Sequence, residues 1–418
     1  MVNNHMSGRR STAVVLLVVL ALLAAACGGD DDEGVGTAAD DTAADDTAED
    51  TEAGGTDEDD AASEDDEGGD DFLAAAQERL DRWYEGTHRD PPTEAPKPEA
   101  GTNVWVISCG QAAEGCAVPA NAAAEAGEEM GWDVTLFDGK LNPAEFSNGV
   151  NSAVAAGADA IVLNVVDCQL VSQALKEARS AGVKIYGLHS LDCDDPAVGE
   201  EPLFDAELTY GEEYPGYRDL VIGFGGTKAD WIIVKTEGKA KTIQFNQDEL
   251  LVVKYIGDGF EEAFKTCTTC EIVESVEFVL ADLGPPLSQK TSQALLSNPD
   301  ADSIVVPYDS AMTFGISSSI VESGRDEELF VMGGEGFPGN IQATRDKKGQ
   351  DAGTGYGFDW EGWATMDGVN RLLQGEPQVD CGCGFAVWDI DHNMPPEGDA
   401  FTPPVDFREN YRKIWGLG

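Results

Sequence analysis

Basic residues are scarce in this chain. Lys and Arg together number 26 against 79 Asp and Glu, which gives a formal net charge of −53. The imbalance continues in residues 72–418, which contain 58 acidic and 24 basic residues. A protein of this charge repels a phosphate backbone, so the composition argues against nucleic acid as a partner.

The sequence also lacks the short motifs of common enzymes. It contains no G-x-S-x-G elbow, Walker loop or H-E-x-x-H, and "GFGG" at 223–226 lacks the last glycine of a dinucleotide fingerprint. Beyond the N-terminal segment, the histidines are His88, His189 and His392, in no metal-ligand spacing. We therefore predict a protein that is not an enzyme and uses neither a metal ion nor a cofactor. The alternative is a general base at His189, although a lone His at a strand end more often hydrogen-bonds a ligand or the backbone.

No apolar run is long enough to span a bilayer as a mature helix. The longest, Ala13 to Ala26, has 14 residues and follows Arg9 and Arg10, which is typical of an export signal over residues 1–26. The stretch "LLAAAC" resembles the lipobox of bacterial lipoproteins, although Ala24 stands where that pattern usually has Leu. We therefore predict lipidation of Cys27 and anchoring to the outer face of the cell membrane. An ordinary cleaved signal peptide is the alternative.

The segment after Cys27 is predicted to be a tether. Residues 28–71 contain 21 acidic and no basic residues, and such a segment cannot bury enough apolar surface to offset its backbone entropy. We expect 27–71 to be a disordered spacer that holds the folded part off the membrane. Residues 72–101 then comprise an amphipathic helix over 72–86 and a Pro-rich linker over 91–101.

From residue 102 onward, strand-length apolar runs alternate with helical patterns. Runs such as "AIVLNVV" and "SIVVPYD" are nearly continuous, as expected when helices cover both faces of a parallel sheet. Residues 72–418 also exceed the size of one ordinary core. The sequence therefore predicts an α/β fold with two doubly wound lobes, in which ligands bind outside the carboxyl ends of the strands.

Several stretches resemble the sugar-binding branch of the type 1 periplasmic binding proteins, the solute receptors of ABC importers. They are "NVWVISC", "ANAAAEAGEEMGWDVTLFDGKLNP", "AVAAGADAIVLNVVD", "ARSAGVKIYGLHS", "VVKYIGDGFEEAF", "VVPYDSAMTFG", "VMGGEGFPG" and "YRKIWG". The resemblance implies two Rossmann-like lobes joined by a three-strand hinge, with crossings near 221–226, 356–359 and 384–391. It places 102–222 with 359–384 in lobe 1 and 223–358 with 385–418 in lobe 2. A departure from the family is an insert over 192–220, whose role stays open.

The same resemblance implies a set of ligand-binding residues at facing strand ends: Gln111, His189, Ser190, Lys254, Tyr308, Asp309, Glu335, Asp359 and Trp360. Carboxylates accept hydroxyl hydrogens, and aromatic faces pack on sugar rings, which suits a sugar-like ligand. An acidic cleft also suits a cationic solute such as a polyamine. Ribose-type members of the family carry Asp-Arg at 189–190, Arg at 254 and Asn at 309, so ligand identity stays open. For Asp309, service as a helix N-cap is the alternative.

Cysteines beyond Cys27 number eight, and an even count in an exported domain predicts disulfides. In the family fold the third and fourth strands are neighbours, which suits a bond between Cys168 and Cys193. Cys109 and Cys116 bracket the loop after the first strand. We interpret both pairs as clamps on loops that line the cleft.

The other four cysteines lie in two short motifs. In "CTTC", Cys267 follows a predicted helix, whose negative end disfavours a thiolate, so Cys267 and Cys270 are predicted to form a structural bridge. The pairing of Cys381 and Cys383 in "CGC" stays open. A zinc site made from all four is the alternative, but the predicted lobes place the two motifs at opposite poles.

Together these features predict an extracytoplasmic, monomeric solute-binding lipoprotein. It would capture a small polar molecule, such as a sugar, and deliver it to an ABC transporter permease. The rival hypothesis is a ligand-sensing lipoprotein that uses the same clamp without transport.

Overall fold

The computed structural model describes residues 67–418, with side chains from residue 71. The predicted signal peptide, the lipidation site at Cys27 and the tether up to residue 66 lie outside the described residues. Within the described part, none of the helices combines the length and apolar character that crossing a membrane requires.

The first lobe is built on a five-stranded parallel sheet in the order β2-β1-β3-β4-β5. Its strands are β1 (Asn103–Ser108), β2 (Asp133–Asp138), β3 (Ala160–Asn164), β4 (Lys184–Leu188) and β5 (Ala206–Glu207). Its connecting helices are α2 (Glu114–Glu129), α3 (Pro143–Ala155) and α4 (Cys168–Ser180), and α1 (Glu67–Glu85) precedes them all. The start of α3 shows how local residues fix the beginning of a helix. Pro143 occupies the first turn, and the Asn142 side chain accepts the Ala144 N–H.

The second lobe is built on a six-stranded sheet in the order β11-β10-β9-β8-β6-β7, in which only β11 runs antiparallel to its neighbour. Its strands are β6 (Lys241–Asn246), β7 (Glu271–Glu277), β8 (Ser303–Val305), β9 (Phe330–Met332), β10 (Ala352–Tyr356) and β11 (Phe385–Asp389). The remaining helices are α5 (Tyr217–Lys235), α6 (Leu251–Phe264), α7 (Pro285–Ser297), α8 (Asp309–Ala311), α9 (Ser317–Ser323), α10 (Pro338–Arg345), α11 (Phe358–Gln374) and α12 (Phe407–Trp415).

The predicted fold class is confirmed, because two separate α/β sheets with mainly parallel strands are present. The fully buried strands β3 and β8 lie in the near-continuous apolar runs "AIVLNVV" and "SIVVPYD" of the sequence. A kink over Met312–Ile316 separates α8 from α9, with non-helical backbone angles at Phe314 and Gly315. Gly315 sits there at a φ of 154°, which side-chain-bearing residues rarely adopt.

The connection between the lobes differs from the expected three strands. The crossing predicted near 221–226 lies inside α5, which begins against the first lobe and ends on the second sheet. The C-terminal helix α12 packs on α2 and α11, although residues 385–418 were all expected in lobe 2. The Arg412 guanidinium holds Glu129 of α2 at 2.6 Å, and the Trp415 and Trp363 rings stack at 5.5 Å.

The segment over 67–101 bridges both lobes. Helix α1 begins at Glu67, five residues before the predicted start, and packs on α5 and β11. Its Trp83 indole N–H donates to the buried Asp230 carboxylate at 2.8 Å. The following linker lies against α11, where the Asn370 side chain donates to the Pro96 carbonyl at 2.7 Å. This segment therefore ties the second lobe to a helix that packs on the first.

All eight cysteines of the described residues lie in pairs at disulfide distance. Cα separations are 5.5 Å for Cys109 and Cys116, 5.1 Å for Cys168 and Cys193, 5.4 Å for Cys267 and Cys270, and 5.2 Å for Cys381 and Cys383. The "CTTC" and "CGC" motifs each close on themselves, so the four-cysteine zinc site is not formed. One group of three potential metal ligands occurs in the described part of the chain, Cys168, Asp192 and Cys193, and two of its members share a disulfide.

Candidate functional site

A cavity of about 90 Å³ lies between the carboxyl ends of the two sheets. Both lobes contribute to its lining, as the topology of open α/β sheets predicts. We call it the interlobe cavity. Its polar lining residues are His189, Tyr217, Tyr308, Ser310, Glu335 and Tyr356.

Most of the wall of the interlobe cavity is apolar. The first lobe contributes the Cys109–Cys116 pair, Leu141 and Val165. The second lobe and the crossing segments contribute apolar side chains of α6, of the loop after β7 and of the hinge: Leu250, Val252, Val253, Ile256, Leu280, Leu283, Val221, Phe224 and Phe358. The site therefore offers much apolar contact area and few hydrogen-bonding groups.

Two residues at neighbouring strand ends carry unusual backbone angles. Val165 follows β3 and His189 follows β4, and both have a φ of 52°. For a β-branched residue this left-handed conformation is a genuine outlier, and such strain persists only where the surroundings enforce it. The hydroxyl of Ser190 helps to enforce it, because it accepts from the Val166 N–H at 2.9 Å and donates to the Leu163 carbonyl at 2.9 Å.

His189 is held as part of a buried pair. Its Nε2 lies 2.5 Å from Glu361 Oε2, and the two side chains are 2% and 0% exposed. The imidazole stacks against Tyr217 and meets the edge of Phe358, with ring centroids 5.2 Å apart in both cases. The other ring nitrogen, Nδ1, has no hydrogen-bond partner. A buried polar atom without a partner in a cavity wall is available to a ligand.

A second charged cluster consists of Asp309 and Lys228, which are buried, and Glu335, which is partly buried in the cavity wall. Burial, together with the nearby Asp309 carboxylate, raises the pKa of Glu335 to about 8. Burial also lowers the pKa of the Lys228 ammonium to about 8, against the attraction of the two carboxylates. The ammonium donates to the Gly333 carbonyl, so it sits behind the loop that carries Glu335.

Asp309 organises that loop. Its carboxylate accepts the N–H groups of Gly334, Gly336 and Phe337 at 2.9, 2.7 and 2.9 Å, at the start of α10. In return, Glu335 accepts the Asp309 N–H at 2.6 Å. The alternative for Asp309 was service as a helix N-cap, but its carboxylate accepts N–H groups of the loop that precedes α10 and none from the helix that Asp309 begins.

The two lobes also touch beside the cavity. Asp167 lies between β3 and α4. It accepts the Leu251 N–H of α6 at 2.9 Å and the Leu191 N–H of its own lobe at 3.0 Å. Asp195, in the 192–220 insert, accepts from the Tyr255 hydroxyl of α6 at 2.5 Å. These contacts hold α6 against the first lobe.

Of the nine residues predicted at the site, three line the cavity: His189, Tyr308 and Glu335. Gln111 and Ser190 lie at strand ends, but their side chains form hydrogen bonds with Ser108, Asn121 and backbone groups. Asp309 supports the site from behind, as described above.

The other three predicted residues point elsewhere. Lys254 forms an ion pair with Asp258 on α6 at 2.5 Å. Asp359 pairs with Arg408 of α12 at 2.8 Å. Trp360 is fully buried and stacks on Phe407, with centroids 6.0 Å apart. The structure therefore turns Asp359 and Trp360 toward the C-terminal helix.

Sequence reasoning missed the aromatic residues of the hinge and two buried charges. Tyr217, Tyr356 and Phe358 line the cavity at the ends of α5, β10 and α11. Lys228 and Glu361 lie within helices α5 and α11. A sequence signal existed for Lys228, because a Lys in the apolar stretch around "DWIIV" is rarely buried without a specific partner.

The fold and the interlobe cavity define a two-lobed α/β protein in which the carboxyl ends of the strands of both sheets face a shared cleft. A family model described as a periplasmic binding protein domain matches residues 106–203. No curated protein matches the chain in sequence. The predicted resemblance to the periplasmic binding proteins is confirmed over these residues by this match, and the solved structures that follow share the fold.

Solved structures of such proteins are similar to this chain. A galactofuranose binding protein is 17% identical, with 76% of this chain and 99% of that chain covered and a TM-score of 0.56. The arabinose-binding component of Shewanella sp. ANA-3, bound to L-arabinofuranose, is 17% identical over 75% and 95%, with a TM-score of 0.58. A sugar ABC transporter protein of Yersinia enterocolitica is 15% identical over 78% and 98%, with a TM-score of 0.60. At these identities the likeness establishes the fold.

Proposed function

We propose that this protein is an extracytoplasmic solute-binding lipoprotein that captures a small molecule between its lobes and delivers it to an ABC transporter permease. The observation that carries the proposal is the interlobe cavity, which lies at the carboxyl ends of both sheets and is lined from both lobes. No single lobe could enclose a solute there. Two structural neighbours are named as binding proteins, one for galactofuranose and one of an arabinose ABC transporter, which supports a binding function.

Capture requires the lobes to move. With a volume of about 90 Å³, the cavity is smaller than the roughly 300–1,000 Å³ of typical ligand pockets, so a larger solute enters only when the lobes separate. The connecting segments allow this, since the lobes are joined by α5 and by the links around β10 and β11. A solute that contacts both lobes then stabilises the closed arrangement at the expense of the open one.

The proposed anchor is the lipid on Cys27, and the acidic segment over 28–66 would separate the folded part from the membrane. The Cys109–Cys116 pair contributes to the cavity wall and so would rigidify a binding loop before the solute arrives. In this arrangement a monomer suffices, because the site is complete within one chain.

Two solute classes are candidates, each favoured by its own observation. Sugars are favoured by the neighbours, whose names include galactofuranose and arabinose binding. A cationic solute is favoured by the carboxyl groups around the cavity, which are the buried Asp309 and Glu361 and the partly buried Glu335.

A thermal-shift screen of sugars, polyols, amines and amino acids tests the proposal. We expect at least one solute to raise the melting temperature of the full chain. The shift should be lost in Glu335→Gln, which changes the cavity wall, and kept in Lys254→Gln, a matched change outside the cavity. A shift that depends on Lys254 and not on Glu335 would contradict the assigned site.

Transport and sensing can be distinguished genetically. A permease and an ATPase encoded beside this chain, and loss of solute uptake when the chain is deleted, support transport. A neighbouring kinase or receptor, with uptake unchanged, would favour the sensing hypothesis.

A further inference from the structure

Acidic groups outnumber basic groups around the interlobe cavity. Asp309 and Glu361 are fully buried and Glu335 is partly buried in the cavity wall, whereas Lys228 and His189 are the basic groups that face them. Even if both bases carried a charge, one of the three carboxylates would have no basic partner. A charge held out of water is costly unless it is paired, so a proton on one of these carboxyl groups lowers that cost.

Glu335 is the group placed to release that proton. Its Oε2 accepts the Asp309 N–H, and its Oε1 faces the first lobe, where a Cβ atom on Gly115 would lie 3.4 Å away. Burial raises the pKa of Glu335 to about 8, with the Asp309 carboxylate raising it further and Lys228 opposing. A cation that reaches Oε1 can therefore replace the proton and leave the carboxylate paired.

Aromatic rings surround the same end of the cavity. Tyr217, Tyr308, Tyr356 and Phe358 all line it, and Tyr356 packs at 5.3 Å from Phe358. The faces of such rings attract an ammonium group, most strongly when water is excluded. A carboxylate and aromatic faces together are the elements that recognise an organic ammonium ion.

The rest of the cavity does not suit a molecule rich in hydroxyl groups. Val165, Val253, Leu280 and Leu283 present no hydrogen-bonding side-chain atoms. The buried unpaired atoms among the lining residues are His189 Nδ1 and Tyr356 Oη. A sugar ring would turn hydroxyl groups toward this apolar wall, and a second ammonium group would also face it, which disfavours both sugars and diamines.

We propose, on the basis of the proposed solute-binding function, that the ligand is a monoamine, an ammonium group on an apolar and preferably aromatic body. The ammonium group pairs with Glu335 among the aromatic rings, and the body fills the apolar part of the cavity.

Four probes separate the contributions: 2-phenylethylamine, its neutral isostere 2-phenylethanol, putrescine and D-galactose. Isothermal titration of the full chain at millimolar probe concentrations should give the order phenylethylamine, phenylethanol, then the other two. We expect loss of the charge to weaken binding roughly tenfold to a hundredfold, as for a hydrogen bond to a charged group. In Glu335→Gln the preference for phenylethylamine over phenylethanol should disappear, with Lys254→Gln as the matched control.

Each outcome decides the inference. Tighter binding of D-galactose than of phenylethylamine would overturn the monoamine and leave solute capture intact. Tightest binding of putrescine would replace it with a diamine. An unchanged amine preference in Glu335→Gln, or no binding of phenylethylamine, would also overturn it. Solute capture itself fails if no solute of the wider screen binds, or if the distance between the lobes does not change when one does.

Discussion

Asp167 belongs to the first lobe, but its carboxylate contacts the start of α6 in the second. Helix α6 has no side-chain cap of its own, and the Leu251 N–H donates to Asp167 at 2.9 Å. The carboxyl group is 1% exposed. Burial outweighs the two N–H bonds and, with the nearby Asp195, raises the pKa of Asp167 from 3.8 to about 6. Closing the lobes is therefore linked to protonation of this group.

The sign and size of the linkage follow from that shift. An acid whose pKa is raised in the closed form favours closure when protonated and opposes it when ionised. Closure should thus become more favourable as the pH falls from 6 to 4, by about 3 kcal/mol if the open form returns Asp167 to water. Well above pH 6 Asp167 is ionised in both the open and the closed form, so its effect on the free energy of closure no longer changes with pH.

Small-angle scattering of the full chain between pH 4 and 7 measures the effect as a change in the radius of gyration. Asp167→Asn resembles the protonated acid in shape and hydrogen-bonding groups. We expect this variant to lose the change between pH 4 and 6 and to be at least as closed at pH 7 as the wild type is at pH 4. The same pH dependence in the variant, or a wild type that opens as the pH falls, would refute the reasoning.

Three further predictions concern the framework of the site. Peptide mapping under non-reducing conditions should join Cys168 to Cys193; free thiols there would remove the proposed clamp. Asp230→Ala should lower the free energy of unfolding by about 1–3 kcal/mol, because the Trp83 N–H loses its buried acceptor, and chemical denaturation measures this loss. Arg412→Ala should cost less than about 1 kcal/mol in the same assay, because its ion pair is about one-third exposed; a loss larger than that of Asp230→Ala would contradict this ranking.

The fold could be predicted because its strands and helices are marked by local signals. Apolar runs such as that of β3 are typical of strands covered on both faces, and Pro143 and Asn142 mark a helix start. The path of the chain between the lobes was harder to predict from the sequence. Residues 217–226 form the first part of α5 and not a strand, and only contacts distant in sequence show that α12 packs on the first lobe.

Part of the site could be predicted, because the topology of the sheets brings the carboxyl ends of the strands together independently of the side chains there. His189 and Glu335 follow β4 and β9, and both line the cavity. The direction of a side chain depends on its tertiary partners, and Trp360 faces α12 because Phe407 offers it a stacking surface. Glu361 could not be predicted, because its role depends on a contact with His189, 172 positions away in the chain.

The distance between the lobes in solution tests the central claim most directly. Spin labels on non-natural residues at Lys176 of α4 and Lys265 after α6, both exposed, would report it without disturbing the cysteines. The measurement compares the full chain alone and with the solute that stabilises it most in the screen. We predict that this solute removes the longer distances and leaves one short, narrow population. A distance distribution that does not change when the solute binds would contradict capture between moving lobes.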